Sequence, residues 1–186
     1  IKGRQPGWVR DYFHLGKPES LIEYGRMNRF KDSLPGVIRP DLLPTETGMV
    51  ATELDSVPGG IGLTASLGRH YTRLGDEIAG GSDGMTKGFA KMVRHFSNGQ
   101  EPLTAIVVSE ESRDYRPELR YLADALTSHG LKTMLLEPKD LVFTEDHLLV
   151  KQDNQLVPVD VLYRFFELFD LKNIPKAELI LYSARK

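Results

Sequence analysis

"TAIVVSEESRDYRPELRYLADALTSHGLKTMLLEP", residues 104–138, decides the fold. TAIVVS reads as a strand, RPELRYLADALTSHG as a helix closed by Gly130, and KTMLLEP as a second strand. Downstream, residues 142–157 read as a small hairpin and VDVLYRFF (159–166) as another buried strand. Alternation of this kind predicts a parallel α/β layer over residues 102–186. Upstream the grammar changes at SNGQEP (97–102), which makes residues 1–100 and 101–186 the expected domains.

The chain has 186 residues, 40% hydrophobic and 27% charged, enough for one large domain or two small lobes with a core that needs no staples. A net charge of −2 gives no reason to expect nucleic acid or an anionic membrane as partner. No apolar run approaches the ~20 residues of a membrane span, and the opening IKGRQPGWVR is not a signal peptide, so the expectation is a soluble, cytoplasmic protein. Without cysteine, disulfides and thiolate metal sites are excluded, and any metal must bind oxygen or imidazole. The isoleucine start and the final AELILYSARK suggest a piece of a longer polypeptide.

Before residue 100, Ser20 and Glu23 have capping-box spacing and predict a helix over residues 20–32. GVIRPDLL (36–43) and MVATELD (49–55) read as strands joined by PTETG. Residues 64–74 read as helix, and GMTKGFAKMVRHF (84–96) places Met85, Phe89, Met92, Val93 and Phe96 on one stripe of a further helix.

The two early strands form a hairpin if Glu46, Thr47 and Gly48 make a three-residue loop with Gly48 in the left-handed position. That register pairs Thr45 with Met49, Asp41 with Glu53, and Arg39 with Asp55, and places all four charged residues on one face. Ile38, Leu42, Val50 and Leu54 lie on the other, which predicts the side that meets the core. Directly opposed carboxylates ~5 Å apart repel, so the cluster makes sense around a cation. Mg²⁺ takes one or two carboxylates, keeps waters and borrows ligands from substrate phosphates. Arg39 is then free to contact a transferred phosphoryl group, and backbone N–H groups of SVPGGIG (Ser56, Gly59 and Gly60) lie near the same anion. The plain alternative is a solvated hairpin whose acids are neutralised by Arg39 and nearby lysines.

IRPDLLPTETGMVATELDSVPGGIGLTASL (38–67) resembles the Arg-x-Asp … Glu-x-Asn segment of the circularly permuted ATP-grasp enzymes, the glutathionylspermidine synthase-like group. The resemblance implies that Asp41, Glu53 and Asp55 hold Mg²⁺ against the phosphates of ATP while Arg39 steadies the phosphoryl group. Residues 104–143 and 159–171 look like the Rossmann-like pre-ATP-grasp lobe of that family, preceded here by a partial ATP-grasp α+β segment. The implied activity joins a small-molecule or peptide carboxylate to an amine through an acyl phosphate. Asp55 stands where better-known members have Asn, and the lysine-bearing strands that hold ATP are expected in a remaining ATP-grasp portion of a parent chain, so this piece alone is expected to be inactive. Two other classes stay open: a non-catalytic module of the same fold that binds a small molecule or peptide, and a sugar-nucleotide transferase suggested by the Rossmann-like half.

Other motifs are weaker. GGSDGMTKG (80–88), with Lys87, lacks Walker spacing and reads as a flexible connection. Ser109, Glu110 and Glu111 end a parallel strand, where ligands of α/β sheets bind. RHYTR and KMVRHF read as solvated helix faces rather than a nucleic-acid surface. His14, His70, His95, His129 and His147 lack zinc-ligand spacing, and Ser66 lies in no nucleophile elbow.

Overall fold

The computed structural model describes residues 6–30, 32–55, 57–97 and 101–183. They fall into two compact units, residues 1–35 and 36–186. In the first, α1 (Gly7–His14) and α2 (Glu19–Gly25) are followed by a single 3₁₀ turn, Asn28–Phe30. Neither helix has a buried residue. The helix expected over 20–32 is therefore two short pieces. Pro18, not Ser20, stands at the N-cap of α2, with no side-chain cap bond.

The second unit is built on β3 (Thr104–Val108), whose five residues are all buried, as a central strand covered on both faces requires. It pairs in parallel with β4 (Thr133–Leu136) on one side and β8 (Val161–Phe165) on the other. A parallel pair needs a crossover, and α5 (Arg116–Ser128) supplies it between β3 and β4. Gly130 ends α5 at φ 81°, and the Leu131 N–H returns to the Leu126 carbonyl. Leu119, Leu122 and Leu126 of α5 are fully buried, each contributing about 1.5–3 kcal/mol of burial free energy.

The two faces of β3 feed two cores, because its side chains alternate. Ile106 and Val108 pack with α5, α3 (Ile61–Leu74) and α4 (Gly84–Phe96). Ala105 and Val107 pack with Leu141, Val150, Phe166 and α6 (Ala177–Ser183). The stretch 142–158 is a three-stranded antiparallel meander, β5 (Val142–Phe143), β6 (Leu148–Gln152) and β7 (Gln155–Pro158), one strand more than a hairpin.

The class is thus α/β around a parallel sheet, with antiparallel hairpins, as expected. The division near residue 100 is not a boundary between compact units. Phe89 and Val93 of α4 and Ile61 of α3 share one core with β3 and α5, so the segments before and after that point are one body. On α4 the buried positions are Thr86, Phe89, Ala90 and Val93, while Met85 and Phe96, placed on the apolar stripe by spacing, are exposed.

Candidate functional site at the hairpin base

β1 (Arg39–Thr45) and β2 (Gly48–Asp55) form an antiparallel hairpin in which Arg39 opposes Asp55 and Asp41 opposes Glu53. The acids and the arginine meet as the spacing predicts, by a different route. Thr45 pairs with Gly48, not Met49, so the loop is the two residues Glu46 and Thr47, and Gly48 has φ 134°, a backbone that favours glycine. A bulge then leaves Thr52 as the extra residue between the Leu42–Ala51 and Asp41–Glu53 pairs, and its hydroxyl donates to the Asp41 carbonyl at 3.1 Å. The one-residue error at the turn and the bulge cancel at the charged end.

The expected apolar face needs correction. The two-residue turn pairs Val50 with Leu43, on the charged side, and Ile38, Leu42, Val50 and Leu54 are 47–70% exposed. Neither face of the ribbon meets the core.

Arg39 holds the cluster together. Its Nε donates to Asp41 Oδ1 at 2.9 Å, its Nη2 lies 3.4 Å from Asp55 Oδ2, and its Nη1 donates to the Gly59 carbonyl at 3.3 Å. The hydrogen bond to Asp41 raises its pKa, with the charges of Asp41, Asp55 and Glu53 adding to this. Asp55 also caps the turn beyond the strand, accepting the Val57 N–H at 2.8 Å. This arrangement matches the plain alternative in that Arg39 is engaged by two of the acids and is not free.

The glycines after the hairpin serve packing. Gly60 has φ 87° at the N-cap of α3. Its N–H donates to Glu118 Oε1 at 2.6 Å, and the Leu63 N–H donates to Glu118 Oε2 at 3.0 Å. A carboxylate from α5 therefore occupies the first turn of α3, where it satisfies orphan donors and complements the helix dipole. A Cβ on Gly59 would lie 2.9 Å from Tyr115 Cδ1, and one on Gly62 would fall on the backbone of Glu118. Of the backbone donors expected to face an anion, Gly60 is already bonded to Glu118, and Gly59 contributes its carbonyl to Arg39. Ser56 lies outside the described residues.

Spacing did not point to Tyr163, Glu167 or Glu118. Tyr163 stacks edge-on against Phe89, with ring centroids 5.0 Å apart, and its buried hydroxyl has no partner among the described residues. Burial, with the nearby Asp55 carboxylate adding to it, pushes the phenol up to about 12. Burial and then Asp55 also raise the Glu167 carboxyl. Glu167 follows the carboxyl end of β8, where parallel strands present ligand-binding groups, and that placement is the signal that could have found it, whereas Tyr163 is the middle residue of the strand. Glu118 had no local signal, since its partners are 55–58 residues away. Of the strand-end residues that were singled out, Ser109 is buried with a hydroxyl that has no partner among the described residues, and Glu110 is tied to Arg113 and Arg116 at 3.1 and 2.9 Å.

The donor set has the class that Mg²⁺ prefers, namely carboxylate oxygens on an open ribbon. Three carboxylates against one guanidinium leave two negative charges, the complement of one divalent ion. Among the described residues no group of three acids or histidines is placed to hold a metal ion, and Arg39 bridges Asp41 and Asp55 instead. No protein-family model and no curated protein sequence matches the chain. No helix of the described residues is long and apolar enough to cross a membrane.

Proposed function

We propose that this chain is the metal- and phosphate-handling part of an ATP-dependent carboxylate–amine ligase of the circularly permuted ATP-grasp type, working with a further ATP-grasp portion of a parent chain. The register that sets Arg39 against Asp55 and Asp41 against Glu53 on one ribbon face carries the reading. Asp41, Glu53 and Asp55 are the residues to hold Mg²⁺. When bound, MgATP supplies an activated phosphoryl group with its charge partly neutralised. Arg39 orients an incoming phosphate oxygen with its planar donor fork, which now spans Asp41, Asp55 and the Gly59 carbonyl. Catalysis of this kind is positioning and charge neutralisation, so it needs no nucleophile from the chain.

A non-catalytic binding module is the second reading, favoured by one observation: Arg39 and the Gly60 N–H already have partners within the chain. Titration of the full-length parent protein with MgATP separates the two. In the ligase reading Asp41→Ala and Glu53→Ala each weaken MgATP binding about tenfold or more and leave the fold unchanged, because both side chains are at the surface. Binding that both variants leave intact, or that does not depend on Mg²⁺, refutes it.

A further inference from the structure

The first unit carries an amphipathic helix whose apolar side covers nothing. At 100° per residue, Leu15, Trp8, Tyr12, Val9 and Phe13 fall in that order on one continuous arc of α1, about 160° wide. Arg10, His14 and Asp11 take the remainder. Trp8, Tyr12, Phe13 and Leu15 are 56–79% exposed, and the ring contact within the arc is the edge-on pair Tyr12–Phe13. The contact that α1 makes with the residue after α2, Arg26 Nη2 to His14 Nδ1 at 3.0 Å, lies on the polar side and leaves the arc clear.

The whole-chain charge of −2 conceals an uneven split. Residues 1–35 carry seven Lys and Arg against four Asp and Glu, a surplus of +3, which leaves −5 on residues 36–186. The surplus survives pairing every acid of the unit with a base, as Asp11 pairs with Arg10 at 3.2 Å. Lys17, one turn beyond Phe13, is exposed, and its ammonium has no partner among the described residues. We propose that this unit docks on an anionic lipid surface, with α1 lying in the interface plane and its apolar arc at the headgroup–acyl boundary. Trp and Tyr are the side chains that favour that boundary, and the basic surplus is attracted to anionic headgroups. Eight residues rise about 12 Å against a hydrocarbon core of ~30 Å, so α1 lies on the bilayer and does not span it. Nucleic acid, the other polyanion, offers no apolar phase to Val9, Phe13 and Leu15. The proposal is independent of the ligase reading, because it uses no residue of the hairpin and needs neither nucleotide nor metal.

Trp8 is the single tryptophan of the chain and therefore its own reporter. The whole chain is titrated with phosphatidylcholine vesicles containing about 30% phosphatidylserine, and with pure phosphatidylcholine vesicles as control. With the anionic vesicles Trp8 emission shifts to the blue and is quenched by lipid brominated near the headgroup. Binding to the neutral vesicles is about tenfold or more weaker, and about 0.5 M salt brings the anionic vesicles toward that level. In co-sedimentation, Tyr12→Ser and Leu15→Ser, at exposed positions that leave the fold unchanged, each weaken binding about tenfold. Lys17→Glu lowers the preference for anionic lipid. Leu74→Ser, at a position of α3 that is equally exposed, leaves binding as it was. No spectral shift with the anionic vesicles, equal binding to neutral ones, tighter binding to single-stranded DNA, or a loss in Leu74→Ser equal to that in Leu15→Ser overturns the proposal.

Discussion

Replacing Gly62 by alanine tests how the hairpin base is held to the parallel sheet. In most helices this change stabilises by about 1 kcal/mol, because alanine is the better helix former. At Gly62 the new Cβ would lie 2.5 Å from the Glu118 carbonyl carbon and 3.2 Å from its Cα, well inside the 3.4 Å at which ordinary contact begins. Backbone cannot rotate out of the way as a side chain does, so α3 must move off α5 by about an ångström, at an overpacking cost of about 1–3 kcal/mol. That movement also stretches the charged hydrogen bonds from the Gly60 and Leu63 N–H groups to Glu118, each worth about 1.5–3 kcal/mol. Offset by the helix-propensity gain, the net loss is about 3 kcal/mol. For a chain of this size that lowers Tm by about 6–12 °C. Gly88→Ala is the control, since nothing lies within 4 Å of a Cβ there, and it raises stability by about 0.5–1 kcal/mol. Urea denaturation of both variants, followed by circular dichroism, reads the difference. A Gly62→Ala protein as stable as its parent refutes the close approach of α3 and α5.

Tyr163 is expected to ionise near 12, and Tyr163→Phe removes that step from an ultraviolet titration. With its folded pKa above the unfolded value, Tyr163 contributes stability that is present below pH ~10 and lost as the pH rises toward the folded value; a parent and variant that lose stability in parallel over this range contradict the assignment. Glu167 follows the same sign: its raised carboxyl favours the folded state below the unfolded carboxylate range and loses that contribution as pH rises. Glu167→Gln should therefore gain on the parent in urea midpoint between pH 4 and pH 7, and a gain in the opposite direction contradicts the burial of that carboxyl beside Asp55. Thr86 is 1% exposed and its hydroxyl has no partner among the described residues, so Thr86→Val, which keeps the shape, is expected to be neutral or stabilising by about 1 kcal/mol; a loss above that amount by thermal melting would reveal a bonded hydroxyl.

The β3–α5–β4 unit was legible because each of its signals is local: a short apolar run, a helix with Gly130 after it, and a second apolar run. The short helices of the first unit were less legible. They bury nothing, so packing against a core does not set their limits, and Ser20 and Glu23 mimic a cap that Pro18 displaces. Met85 and Phe96 fit a helical stripe equally well in sequence, and only the direction from which β3 and α5 approach α4 selects Thr86, Phe89, Ala90 and Val93 instead.

The charged pairs at the hairpin base were legible for a subtler reason. Parity along a strand depends on every residue between the turn and the site, and the true turn is one residue shorter than the three-residue loop. The extra residue at Thr52 restores that parity only for the pairs beyond it, which are the charged ones. The shorter turn, uncompensated before the bulge, moved Val50 to the charged side, so the face expected to find the core was misread while the site was not. What holds that site in place was invisible to local reading. Arg39 reaches the Gly59 carbonyl, Gly59 packs on Tyr115, and Glu118 binds the N–H groups of Gly60 and Leu63. Tyr115 and Glu118 belong to the entrance of α5, the crossover of the parallel sheet. The hairpin base is thus positioned by the half of the chain from which the change of pattern at residues 97–102 seemed to divide it, and a change in the first turn of α5 reaches Arg39 through Gly59 without touching any of the four charged residues.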